Sequence, residues 1–216
     1  MFTELAFYDH DSTFKDLQTD LVTYLTIRKD LLSVVFTSAQ KRVDCVAIPS
    51  GFMSRLTEFT NDQKFSVAID FPYGLGGTSV RVHEIILAIR QGASYIDLVL
   101  NNSFIKEENW RKIREDLKAC QAVCNQHGIE LRVIMEYRLF PVKTVLLMCD
   151  LLYNANVYNV INSTGFVADD LSDNAIISYE IQSKTGVQVT PCVRAFNKEH
   201  VKMFEDLDVY ALRLIS

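Results

Sequence analysis

The residue best suited to chemistry in this sequence is a carboxylate set in an apolar run. Asp97 sits within Tyr95-Ile-Asp-Leu-Val-Leu100, where an unpaired charge would cost on the order of several kcal/mol. It is read either as a proton-transfer group or as a structural carboxylate that anchors a loop. Asp9, in Tyr8-Asp9-His10, and Glu136, in Met135-Glu136-Tyr137, are further carboxylates at the ends of β-rich runs. Asp9 joins Asp97 as a candidate catalytic residue, and His10 reads as a loop or core histidine. Ser163, Thr164 and Gly165 set two hydroxyls beside a glycine, while Arg138 and Arg194 carry the positive charge that an anion would need. These five are the candidate substrate-binding residues, with solvated surface arginines as the simpler reading of the last two. Cys192 at a strand end is a nucleophile only with a base beside it, and a buried inert thiol is the plainer reading. Cys120 and Cys124 are spaced i, i+4 without a matching His or Cys doublet elsewhere. They read as small core residues; no metal site and no cofactor are expected.

These groups need elements to position them. Short runs rich in Val, Ile, Leu and Phe recur at Val43–Ile48, Phe65–Phe71, Tyr95–Leu100, Glu130–Met135, Val157–Ile161, Val187–Thr190 and Val209–Ile215. They alternate poorly, as strands buried on both faces of a parallel sheet do. A short run at Phe7–His10 makes eight. Helical patterns separate them. Val82, Ile85, Ile86 and Ile89 form one apolar stripe, with Thr78 or Ser79 as its cap and Gly92 as its stop. Trp110, Ile113, Leu117, Cys120 and Cys124 form another, and further helices are predicted over 141–153 and 170–185, with a short one from Asn197 to Phe204. Eight alternating β/α units predict an α/β fold of the (β/α)₈ TIM-barrel kind, as a single domain over 1–216; periodicity alone also fits an open doubly wound sheet, an alternative weakened by the lack of a glycine-rich phosphate loop. With the sequence stopping at Ser216, directly after the last strand, the final helix is expected to be missing. The outer face of Val209–Ile215 then needs a cover, either the apolar 12–42 segment of the same chain or a second copy, so monomer and homodimer are both open.

Composition narrows the partners. The 216 residues are 49% hydrophobic with a net charge of −5, which offers no electrostatic footprint for nucleic acid or an anionic membrane. The opening MFTELAFYDHDSTFKD lacks a basic segment followed by an apolar one, so no signal peptide is expected, and no apolar run reaches membrane-spanning length. Five cysteines, an odd number without a spacing framework, predict reduced thiols and a cytoplasmic setting.

The segment FPYGLGGTSVRVHEIILAIRQGASYIDLVLN resembles the deoxyribose-phosphate aldolase family in its Phe-Pro-x-Gly turn, Thr-capped helix, Gly-Ala pair and aspartate-bearing strand. Tyr8-Asp9-His10, Ser163-Thr164-Gly165-Phe166 and Val189-Thr190-Pro191 with Arg194 are similar to three other segments of that family. The resemblance implies a TIM barrel and reversible cleavage of 2-deoxyribose 5-phosphate through a Schiff base. It implies a nucleophilic lysine on strand six, a second lysine on strand seven that perturbs the first, and a proton-relaying aspartate at Asp97. At the two lysine positions this sequence has Ile161 and Thr190. No lysine occurs between Lys143 and Lys184 or between Lys184 and Lys198. The glycine pair expected after strand seven is replaced by Cys192-Val193-Arg194. Three readings follow. The first is a degenerate homologue that binds a small molecule such as a sugar phosphate, or a partner. The second is a carbon–carbon lyase or other enzyme acting on a sugar phosphate or aldehyde by an altered mechanism, through Asp97, Glu136 or Cys192. The third, an ordinary aldolase with its nucleophile elsewhere, fits least.

Overall fold

The computed structural model describes residues 2–6, 45–51, 64–167, 170–193 and 198–215. Nine strands form one all-parallel sheet: β1 (Phe2–Ala6), β2 (Cys45–Pro49), β3 (Lys64–Ile69), β4 (Tyr95–Val99), β5 (Glu130–Ile134), β6 (Asn159–Ile161), β7 (Gln188–Thr190), β8 (Cys192–Val193) and β9 (Ala211–Ile215). Their order is β7-β6-β5-β4-β3-β2-β1-β9-β8. The two ends of that order are one stretch of chain, because only Pro191 separates β7 from β8. Proline has no N–H to give the ladder, so the strand breaks there without changing course. The Tyr210 amide donates to the Val189 carbonyl at 3.1 Å and the Arg213 amide to the Pro191 carbonyl at 2.9 Å. These bonds join β9 to the broken strand and close the sheet. The fold is therefore a (β/α) barrel of eight staves.

Parallel staves need crossovers, and helices supply them: α1 (Thr78–Arg90), α2 (Asn102–Lys106), α3 (Trp110–Gln126), α4 (Val142–Asn154), α5 (Leu171–Lys184) and α6 (Lys198–Asp206). Each long helix buries one stripe, such as Ile113, Leu117, Cys120 and Cys124 on α3. Residues on the outer side of the staves, among them Val67, Leu98, Val133 and Val160, share one apolar core with these stripes. Among the described residues no helix is long and apolar enough to cross a membrane.

Several expectations are corrected. The first strand is Phe2–Ala6; the expected run at 7–10 and the 12–42 segment lie outside the described residues. Neither Thr78 nor Ser79 caps α1. Gly77 holds the cap position, and the Thr78 hydroxyl instead donates to Asp116 at 2.7 Å. The outer face of the last strand, expected to need a cover, has one within the chain: Leu212 and Leu214 are completely buried and share one core with Val201 and Phe204 of α6.

Candidate active site at the barrel mouth

Alternation along the staves sends every second side chain inward. Glu4, Asp97, Arg132 and Arg213 come from β1, β4, β5 and β9 to one level of the interior, and each is at most 1% exposed. Arg132 Nε donates to Asp97 Oδ1 at 2.7 Å, and Arg213 Nη2 donates to Asp97 Oδ2 and to Glu4 Oε2, both at 2.6 Å. Arg132 also bridges to Glu4. The Ser66 hydroxyl donates to Asp97 Oδ2 at 2.5 Å. Burial pushes the Asp97 carboxyl upward, but the charges of Arg132 and Arg213 and the bonds from Arg132 and Ser66 outweigh it. They hold Asp97 well below the ordinary carboxylate range. Nearby, burial and the Glu4 charge push the Cys45 thiol up to about 12.

One level nearer the C-terminal end, the inward residues are two positions further along each strand. They are Ala47, Ala68, Val99, Ile134, Ile161, Cys192 and Ile215, an apolar layer on which Phe71 and Phe166 pack. The two rings meet edge-on at 5.1 Å between centroids. Asp97 is thus buried and hydrogen-bonded as expected, yet it does not open to the mouth, because this layer lies between. Ile161 and Thr190 pair in register at the ends of β6 and β7 and are both buried.

Among the described residues, two loops shape the mouth. After β3, Asp70 adopts φ 56° and its carbonyl accepts the Gly74 amide at 2.9 Å. Its carboxylate accepts the Gly76 amide at 2.7 Å and Arg81 Nε at 2.9 Å. Arg81, fully buried, also bonds Asp116 of α3 and the Val99 carbonyl. The turn is tight enough to demand glycine at 74. There φ is +67°, and a Cβ would lie 2.2 Å from the Leu100 carbonyl oxygen. Gly74→Ala is expected to lose at least about 2 kcal/mol, from the positive φ and from displaced backbone. Urea unfolding measures this, and a change within error would show that the loop gives way freely.

After β6, Glu136 organises the turn. Only 3% exposed, it accepts the Ser163 hydroxyl at 3.2 Å, the Thr164 amide at 3.0 Å and the Thr164 hydroxyl. The Gly165 amide donates to Ser163 Oγ at 2.9 Å and the Phe166 amide to Thr164 Oγ1 at 3.2 Å. Ser163, Thr164 and Gly165 are therefore together at the mouth, gathered by a carboxylate. Arg138 is not with them; its guanidinium pairs with Asp173 at the start of α5, 2.7 Å away. Asp9 and Arg194 lie outside the described residues. Among the described residues no group of His, Cys, Asp and Glu is placed to hold a metal ion.

The model of the DeoC/LacD family aldolases matches residues 8–143. The chain belongs to that family. Among curated relatives, the deoxyribose-phosphate aldolase of Mannheimia succiniciproducens is 34% identical over 133 residues, which cover 61% of this chain and 58% of the relative. That of Mycoplasmopsis pulmonis is 30% identical over 159 residues, 73% of this chain and 70% of the relative. The chain thus spans well under two thirds of the first relative's length. Among solved structures, the aldolase QR15 superposes with a TM-score of 0.74 at 18% identity, covering 99% of this chain and 89% of that one. The tetrameric deoxyribose phosphate aldolase from Aeropyrum pernix gives 0.72 at 15% identity, covering 98% and 84%. At such identities these structures speak for the barrel alone.

Sequence reasoning found Asp97 in this family member and missed its partners. Arg132 in ELRVI and Arg213 in ALRLI carry the same signal, a charge in an apolar strand. Glu4 in FTELA does too.

Proposed function

We propose that this chain is a deoxyribose-phosphate aldolase-like protein that works without Schiff-base chemistry, a degenerate homologue that binds a small metabolite, such as a sugar phosphate, or a partner. One observation carries the reading. The described strands hold a single lysine, Lys64, exposed at the N-terminal end of β3 and so at the end of the barrel opposite the mouth. An imine needs a neutral amine beside the substrate carbonyl. The hydrogen bond from Lys64 to the Tyr95 hydroxyl raises the lysine's pKa and keeps it charged. Ile161 and Thr190 stand where the family resemblance puts lysines, and neither side chain can form an imine. Further support comes from Asp97, held as an anion between two arginines beneath an apolar layer. The five cysteines, all unpaired and buried, favour a reducing, cytoplasmic setting.

The test is acetaldehyde release from 2-deoxyribose 5-phosphate, together with borohydride trapping in the presence of an aldehyde. No release and no secondary-amine adduct are expected. Turnover of about 1 s⁻¹, an ordinary enzymatic rate, or an adduct on a barrel lysine would overturn the reading. A second reading, a lyase of altered mechanism acting on a sugar phosphate or aldehyde, is favoured by Glu136, a carboxylate almost wholly buried at the mouth beside Ser163. Under that reading the same assay shows turnover without an adduct, and Glu136→Gln removes it.

A further inference from the structure

On the outside of the barrel, α3 and α4 enclose a cavity between them. One wall is a single row of α3 that includes Trp110, Arg114, Lys118 and Gln121; the other is the facing row of α4, with Leu147, Asp150 and Leu151. The cavity holds about 530 Å³, within the roughly 300–1,000 Å³ of small-molecule sites. Trp110, Leu147 and Leu151 give it an apolar lining, and Gln121 closes one end by donating to the Asn156 carbonyl at 3.0 Å. The charges along its walls are unmatched, unlike others on α3. Arg111 pairs with Glu115 at 3.7 Å, and Lys112 lies over the Phe104 ring, 5.0 Å from its centre. Arg114 and Lys118 have no partner of either kind among the described residues, although they stand one turn apart, where like charges repel. The Asp150 carboxylate on the opposite wall is also unpaired among the described residues, and the bond from Asn154, at 2.7 Å, goes to its backbone carbonyl.

We propose that the cavity between α3 and α4 binds a free α-amino acid with an aromatic side chain. The ligand's carboxylate meets Arg114 and Lys118, its ammonium meets Asp150, and its ring lies on Trp110 between the two leucines. Each group of the cavity then has a use. Arginine and lysine together supply directed donors and a second positive charge for a carboxylate. Ring on ring adds to the gain from burying apolar surface. The acid on the opposite wall sets the selectivity. A bare anion would face Asp150, and a bare cation would face two positive groups; the zwitterion satisfies both walls. The site is separate from the barrel mouth and does not depend on the function proposed there.

Trp110 is the only tryptophan of the chain, so its fluorescence reports on this cavity in the unmodified protein. Titration with L-phenylalanine should give a saturable change, and equilibrium dialysis with the labelled amino acid should give a single site per chain. Phenylpropionate, which lacks the ammonium, and phenethylamine, which lacks the carboxylate, should each bind about tenfold more weakly or worse. Arg114→Gln with Lys118→Gln should abolish binding with an unchanged circular dichroism spectrum. Arg111→Gln with Lys112→Gln removes the same charge from the same helix away from the cavity and should leave binding intact. Asp150→Asn should move the two ligands in opposite directions, weakening phenylalanine and strengthening phenylpropionate. That reversal is one that loss of folding does not produce. No bound phenylalanine in dialysis, equal affinity for the three compounds, or binding that survives Arg114→Gln with Lys118→Gln would each overturn the proposal.

Discussion

Asp97→Asn is expected to cost about 3–5 kcal/mol of folding stability, among the largest effects of any single substitution in this chain. The change keeps the shape of the side chain but leaves Arg132 and Arg213 sharing the single charge of Glu4 in a layer from which water is excluded. Acid provides the sharper check. Because the folded pKa of Asp97 is depressed, its contribution is complete above the ordinary aspartate value of 3.8 and fades as pH falls below it. The stability gap between wild type and Asp97→Asn in urea should therefore narrow below that pH. A gap that stays constant into acid would mean that the carboxylate is not the species held between the arginines.

Arg81→Met is expected to be as damaging, for a different reason. Arg81 is the fully buried hub that joins the 70–77 loop to α3 and to the end of β4. Its loss strands Asp116, which is 4% exposed, and removes the Asp70 partner that shapes the mouth. Breaking such a pair costs about 3–5 kcal/mol. Urea unfolding should show the loss, and hydrogen exchange should show faster exchange at the Gly74 and Gly76 amides, which the Asp70 turn protects. Arg81→Lys, which keeps the charge but cannot reach three acceptors in one plane, should fall in between. Unchanged exchange at Gly74 and Gly76 in Arg81→Met would show that the loop holds itself.

The barrel was legible because its staves are short apolar runs separated by helical stripes, and both periodicities survive in the sequence. Asp97 was legible for the converse reason, as a charge that such a run cannot carry unpaired. Its partners were not. Arg132 lies 35 positions away and Glu4 93 positions away, and only the register of a closed sheet brings them to one level. Thr78 shows the same limit locally. A threonine at the start of a helical stripe reads as a cap, but a carboxylate on α3 takes its hydroxyl. The Ser163-Thr164-Gly165 turn was found by residue type, whereas the role of Glu136 in gathering it depends on the spacing of β5 and β6.

Two acids and two bases share the lower layer of this interior and sum to zero charge. Exchanging any one of them for a neutral residue leaves a net charge that water cannot reach, while neutralising an acid together with a base leaves none. Positions 4, 97, 132 and 213 are therefore not free to drift one at a time. Over evolutionary time they should vary as matched pairs, so that a relative carrying an apolar residue at 132 or 213 has also lost the acid at 4 or 97.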